Sequence, residues 1–243
     1  PDPERLQISG VKYFHDDGAR LPRFELAELL RLTALDRQQL VVHVLSNRAV
    51  ESFLDQLEPA AKKSEGLGRL VRFEHVDEVT PRSAARLAAQ GVIVCQNPAM
   101  LPEWSRRDAF PMRTLKQAGV VLCIGSDWVG QHTPERPYEP FFAVARAVDR
   151  EAESLPLYDV LQAFTVGSAA AEGMAGKKGA IAVGQLGDLV VLSEDPFRLP
   201  DRDLGRVRAV MTVVGGRIVY RAPGVGATQP TVGTPDPPSI GPA

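Results

Sequence analysis

The chain has 243 residues, 44% of them apolar, with 28 basic and 30 acidic side chains and a net charge of -2 at neutral pH. That length can bury one large core and leave room for a small appendage, and a charge so near balance gives no reason to expect nucleic acid or an anionic membrane as a partner. The longest apolar runs are strand-length, so none is expected to span a membrane. The two cysteines, Cys95 and Cys123, lie inside such runs and read as buried thiols of a reducing, cytoplasmic compartment rather than as a disulfide.

Strand and helix patterns alternate from the start. Gly10–His15 reads as a strand, and Phe24–Asp36 as a helix with Leu26, Leu29, Leu30 and Leu35 on one face. Gln39–Leu45 is the next strand, followed by a helix from about Arg48 to Lys63 that carries Val50, Phe53, Leu54 and Leu57. After the strand Leu70–His75, Thr80-Pro81 supplies an N-cap and a first-turn proline for a helix through Gln90. Gly91–Cys95 is a strand, a loop with Pro98, Pro102 and Trp104 follows, and Met112–Ala118 is a helix closed by Gly119. Val120–Gly125 is the last strand of this type, with helices expected at about Pro140–Arg150 and Tyr158–Glu172. Such alternation, with near-continuous apolar strands, implies a parallel sheet covered by helices.

The fold class is therefore α/β, with five βα units where a closed (β/α)8 barrel needs eight. After Gly173 the pattern changes to Asp188–Leu192, Val207–Val214 and Arg217–Tyr220, with Gly215-Gly216 as a hairpin turn. The expected organisation is a partial barrel over 1–173, a small β segment over 174–221 and a Gly-, Pro- and Thr-rich tail over 222–243 that is expected to be disordered.

Three strand ends carry the chemistry. Val41-Val42-His43, Arg72-Phe73-Glu74-His75 and Ile124-Gly125-Ser126-Asp127 place two imidazoles and a carboxylate where barrel enzymes keep their active sites, and Lys12 stands in an equivalent place on the first strand. Neutral imidazoles and carboxylates bind Zn²⁺ or similar divalent ions. His43 and His75 are candidate ligands, and Asp127 a candidate ligand and proton shuttle. Lys12 can act as a cation, as a Schiff-base nucleophile or, carboxylated, as an anion bridging two metals about 3.5–4 Å apart. Plainer readings exist for each: a hydrogen-bonded histidine, a turn at Ser126-Asp127, solvated Asp16 and Asp17, loop positions for His15 and His132. Glu74, next to His75 in the strand, is expected on the opposite face and as a structural partner.

These residues resemble a known family. Val11-Lys12-Tyr13-Phe14, His43 with Arg48-Ala49-Val50, Phe73-Glu74-His75, Gln96-Asn97-Pro98 and Gly125-Ser126-Asp127 are similar, in order and spacing, to successive motifs of the amidohydrolase superfamily, family 3, the YtcJ-like and N-substituted formamide deformylase-like branch. Pro111–Ala118 and Gly184–Pro196 resemble further segments of that branch, and the resemblance runs from about residue 8 to 221. It implies a distorted TIM barrel that hydrolyses non-peptide amide or formamide-like C–N bonds with one or two divalent metals, zinc first among them. It would make Lys12, His43, His75 and Asp127 the site residues of four barrel strands. Ser46 and Asn47 depart from the family pattern, standing where it has a glycine and an acid, and the family's His-x-His pair does not occur in these residues.

The expectation is thus the C-terminal part of a metal-dependent amidohydrolase that acts on a small molecule, inactive without an N-terminal segment and open to homo-oligomer formation. The loop with Trp128, His132, Arg136 and Tyr138 is expected to shape specificity. The alternatives are a catalytically degenerate member, a Schiff-base lyase using Lys12, and a pure binding module.

Overall fold

The computed structural model describes residues 10–15, 23–100, 110–127, 139–149 and 152–225. Five parallel strands form one sheet in sequence order: β1 (Gly10–Phe14), β2 (Gln39–Val44), β3 (Val71–His75), β4 (Ile93–Gln96) and β5 (Val121–Ile124). Helices return the chain between strands, namely α1 (Arg23–Asp36), α2 (Asn47–Ala61), α3 (Pro81–Gln90) and α4 (Met112–Gln117). After β5 come α5 (Pro140–Val148), α6 (Leu157–Gln162) and α7 (Ser168–Ala171), then an antiparallel sheet of β6 (Leu189–Leu192), β7 (Ala209–Val214) and β8 (Arg217–Arg221).

The strand register sorts residues between the two faces of the large sheet. One face carries Tyr13, Val42, Phe73, Val94 and Leu122 in a row across all five strands. These apolar residues meet Phe53, Leu54 and Leu57 of α2 and Leu87 of α3 in a continuous core, with Phe53 and Phe73 packed edge to face at 5.1 Å. The other face carries Phe14, His43, Glu74, Cys95 and Cys123 in one row, and Lys12, Val41, Arg72, Ile93 and Val121 in the row toward the strand starts. This is the face that looks into the interior of a barrel. Its lower part is covered by Ala170 and Ala171 beside Ile93, Cys95 and Cys123. The Ala171 carbonyl accepts from Gln39 Nε2 at 2.9 Å and from Arg72 Nη1 at 3.1 Å.

Local chemistry fixes the helix starts. Ser46 Oγ accepts from Ala49 N at 3.1 Å and caps α2, and Thr80 Oγ1 accepts from Ser83 N at 3.2 Å and caps α3. Asn47 Oδ1 accepts from Thr80 N at 2.9 Å, tying the two loops together. The two residues that depart from the family pattern thus stabilise the loop rim. The long helix expected at Tyr158–Glu172 is instead α6, a π-helical turn over Ala163–Gly167, and α7. Gly167 packs directly on the Leu122 carbonyl, a space that a Cβ would fill. Leu26 and Leu30 of α1 are buried as expected, but Leu35 is 63% exposed. The Gly215-Gly216 turn has φ of 56° and 76°, as a tight hairpin turn requires. None of the described helices is long and apolar enough to cross a membrane.

Candidate active site

The site is assembled at the C-terminal ends of β2, β3 and β5. His43 is the penultimate residue of β2, and its ring packs against Phe14 on β1 at 5.0 Å. His75 ends β3 and pairs in register with Val44. Strand alternation would turn its side chain toward the helices. It does not go there. His75 and the following Val76 have φ of +76° and +52°, a left-handed pair that costs about 1–3 kcal/mol per residue. The turn swings the imidazole to the His43 ring, 4.6 Å between centroids in an edge contact.

Asp127 approaches from beyond β5. Its Oδ2 stands 3.7 Å from His75 Nε2, and its own φ of +41° is again left-handed. Lys12 sits one inward-facing step below Phe14, its Nζ 5.5 Å from the Phe14 ring, and its charge reaches His75. The described part of the site therefore brings His43, His75 and Asp127 together in sequence, each touching the next, with Lys12 at the sheet edge on the same side.

One further position behaves differently from expectation, Glu74, whereas His15 keeps its expected loop position. Glu74 lies on the His43 face, not away from it, because the register pairs the two residues directly and His75 is the one that departs from alternation. Its carboxylate is held by Arg72 Nε at 2.6 Å, the structural role expected of it. His15 turns to the helix side, where its ring meets Phe53 at 5.5 Å, and stays out of the site. Trp128, His132, Arg136 and Tyr138 lie outside the described residues, as do Asp16 and Asp17.

Sequence reasoning missed the role of Gln96 and Asn97, although the run Gln96-Asn97-Pro98 follows a strand directly. Gln96 Nε2 donates to the carbonyls of His75 at 2.5 Å and Val76 at 3.4 Å, and Asn97 Nδ2 donates to the Gly125 carbonyl at 3.1 Å. Both side chains are buried.

The electrostatics favour a neutral His75. Burial lowers its pKa below the ordinary histidine value, and neighbouring His43 adds to the effect, outweighing the opposing pull of Asp127. A neutral imidazole has a free lone pair, as a metal ligand must. Two imidazoles and a carboxylate are also the donor types a divalent zinc-like ion takes, so the chemistry of the set fits such an ion. The spacing is looser than the chemistry: among the described residues no group of three or more His, Cys, Asp or Glu side chains is gathered closely enough to hold a metal. Asp127 nears His75 at 3.7 Å, longer than a hydrogen bond.

The model of the amidohydrolase family matches residues 3–220. The protein YtcJ of Bacillus subtilis (strain 168), named as an amidohydrolase, is 28% identical over 226 residues, covering 85% of this chain and 41% of its own. The chain thus spans less than half the length of that relative. Among solved structures, a metal-dependent hydrolase of Pyrococcus horikoshii superposes with a TM-score of 0.67 at 19% identity, over 81% of this chain and 47% of the other. A zinc-bound adenosine deaminase of Xanthomonas campestris does so with a TM-score of 0.63 at 20% identity, over 87% and 52%. The parallel sheet is the TIM-barrel sheet of these proteins, and the chain belongs to the amidohydrolase family.

Proposed function

We propose that this chain carries part of the active site of a metal-dependent hydrolase of non-peptide C–N bonds, with an amide or formamide-like small molecule as substrate. The observation behind the reading is the run of contacts from His43 to His75 to Asp127 at the strand ends. Family membership supports hydrolysis, and the zinc-bound deaminase that shares the fold is itself named for breaking a C–N bond.

His43 and His75 would hold the ion through imidazole nitrogens, and Asp127 through its carboxylate. When bound, a divalent ion supplies Lewis-acid activation of water and of the scissile group at neutral pH. The residues of this chain do the rest. Asp127, exposed enough to meet solvent, accepts a proton from the attacking water and delivers it to the leaving nitrogen, so that water adds across the C–N bond and the amine departs neutral. Burial keeps His75 unprotonated, so it does not compete for that proton. Lys12 serves as an ammonium for an anionic substrate group or, carboxylated, as a further anionic ligand.

The (β/α) barrel closes with eight parallel strands, and the described sheet has five. β1 and β5 each have one neighbour in the described sheet, and we propose that further strands pair along these edges in the working enzyme. Asp127→Asn tests the role of the carboxylate. Loss of general acid–base work costs about 10²–10⁴-fold in rate, and hydrolysis of simple N-formyl and N-acyl amines should fall by that factor while metal content changes less. Undiminished turnover in that variant would remove Asp127 from the mechanism.

A further inference from the structure

We infer that Gln96 is a positioning residue, whose carboxamide clamps the left-handed turn at His75 and Val76 and so holds the His75 imidazole against His43. The inference rests on the reading of His75 as a metal-binding residue, although the clamp itself is a matter of geometry.

Four observations carry it. His75 and Val76 both adopt positive φ, an arrangement that persists only when the surroundings enforce it. Without that turn, strand alternation would direct the imidazole to the helix side, where its register partner Val44 is buried. The Gln96 amide nitrogen donates to the carbonyl oxygens of these same two residues, at 2.5 and 3.4 Å. Two carbonyl acceptors also fix which end of the amide faces them, since the opposite orientation would set oxygen against oxygen.

The fourth observation separates positioning from plain stability. Gln96 is fully buried, yet its Oε1 has no hydrogen-bond partner among the described residues. A buried acceptor without a donor is costly, so a glutamine here is a poor choice for stability alone. What the amide supplies, and an apolar side chain of the same length does not, is a donor for the turn. Asn97 makes the matching bond to Gly125 on the other flank, at the start of the run that leads to Asp127. The end of β4 thus holds the backbone on both sides of the site.

The test is Gln96→Met in the full chain, with Gln96→Asn as a shorter variant that keeps the amide but retracts it. Three quantities are read: melting temperature, the nuclear Overhauser contact between the His43 and His75 rings, and zinc affinity by competition with a chelator. Loss of an outer-shell partner weakens metal affinity by about 10–100-fold. The expected result for Gln96→Met is little change in melting temperature, loss of the ring contact and zinc binding weakened by such a factor. Gln96→Asn should fold and show the same losses in smaller degree, and it decides the matter if the methionine variant does not fold. An unchanged ring contact with unchanged zinc affinity in the folded variant would overturn the inference. Failure of the metal reading looks different: His75→Ala would bind zinc as the parent does, while the ring contact would still respond to Gln96.

Discussion

The imidazole of His75 meets that of His43 on the neighbouring strand, 4.6 Å between ring centroids, although the β2–β3 register gives His43 a different partner, Glu74. The meeting depends on two consecutive left-handed residues at the end of β3. A backbone feature, and not the identity of the two histidines alone, makes the pair.

The depressed pKa of His75 has a consequence for stability. An imidazole in the unfolded chain takes a proton near pH 6.5, while His75 in the folded metal-free protein does so only at lower pH. Between those values the unfolded state binds the extra proton, so stability falls as pH drops below about 6.5 and is fully retained above it. Urea unfolding of chelator-treated protein from pH 7.5 to 5 should show this slope, and His75→Gln should flatten it. An equal slope in the variant would assign the effect to another group.

Ser46 caps α2 immediately after the strand that carries His43. Removing a serine N-cap costs about 0.5–2 kcal/mol. Ser46→Ala should lower the free energy of unfolding by roughly 1 kcal/mol, measured by chemical denaturation. A loss near zero would mean that water or another acceptor replaces the cap without penalty.

The core beneath the site is less forgiving. Phe73 of β3 is fully buried and packs edge to face on Phe53 of α2. Phe73→Ala should destabilise the protein by about 3–5 kcal/mol, and Phe73→Leu by much less. Denaturation midpoints of the two variants provide the comparison, and similar midpoints would show that the cavity collapses.

Cys95 should be chemically quiet. Contact with the Cys123 thiol and burial push its pKa well above the ordinary cysteine value, and the thiolate is the reactive form. Iodoacetamide at pH 8 should label Cys95 slowly in the native protein and quickly in urea. Equal rates would indicate that the inner face opens to solvent.

Much of this was legible in the sequence. Apolar runs bounded by Thr80-Pro81 and Gly91 marked strands and helices because capping chemistry and periodicity are local. The strand-end placement of His43, His75 and Asp127 followed from the same pattern, as did the hairpin at Gly215-Gly216. What escaped was set by tertiary contact. Alternation placed Glu74 opposite the site, since nothing in Phe73-Glu74-His75 announces positive φ at a histidine. The amides of Gln96 and Asn97 acquire meaning only when β4 lies between β3 and β5. The π-helical turn at Ala163–Gly167 reflects the close seat of Gly167 on Leu122, a contact between residues far apart in the chain.

The central claim is that His43 and His75 share a metal ion, and metal stoichiometry addresses it most directly. The protein, reconstituted with zinc and freed of excess ion, is compared with His43→Ala and His75→Ala by elemental analysis, with circular dichroism confirming that the variants are folded. The predicted result is bound zinc in the parent and its loss in either variant. Zinc retained at the parental level in both folded variants would contradict the claim.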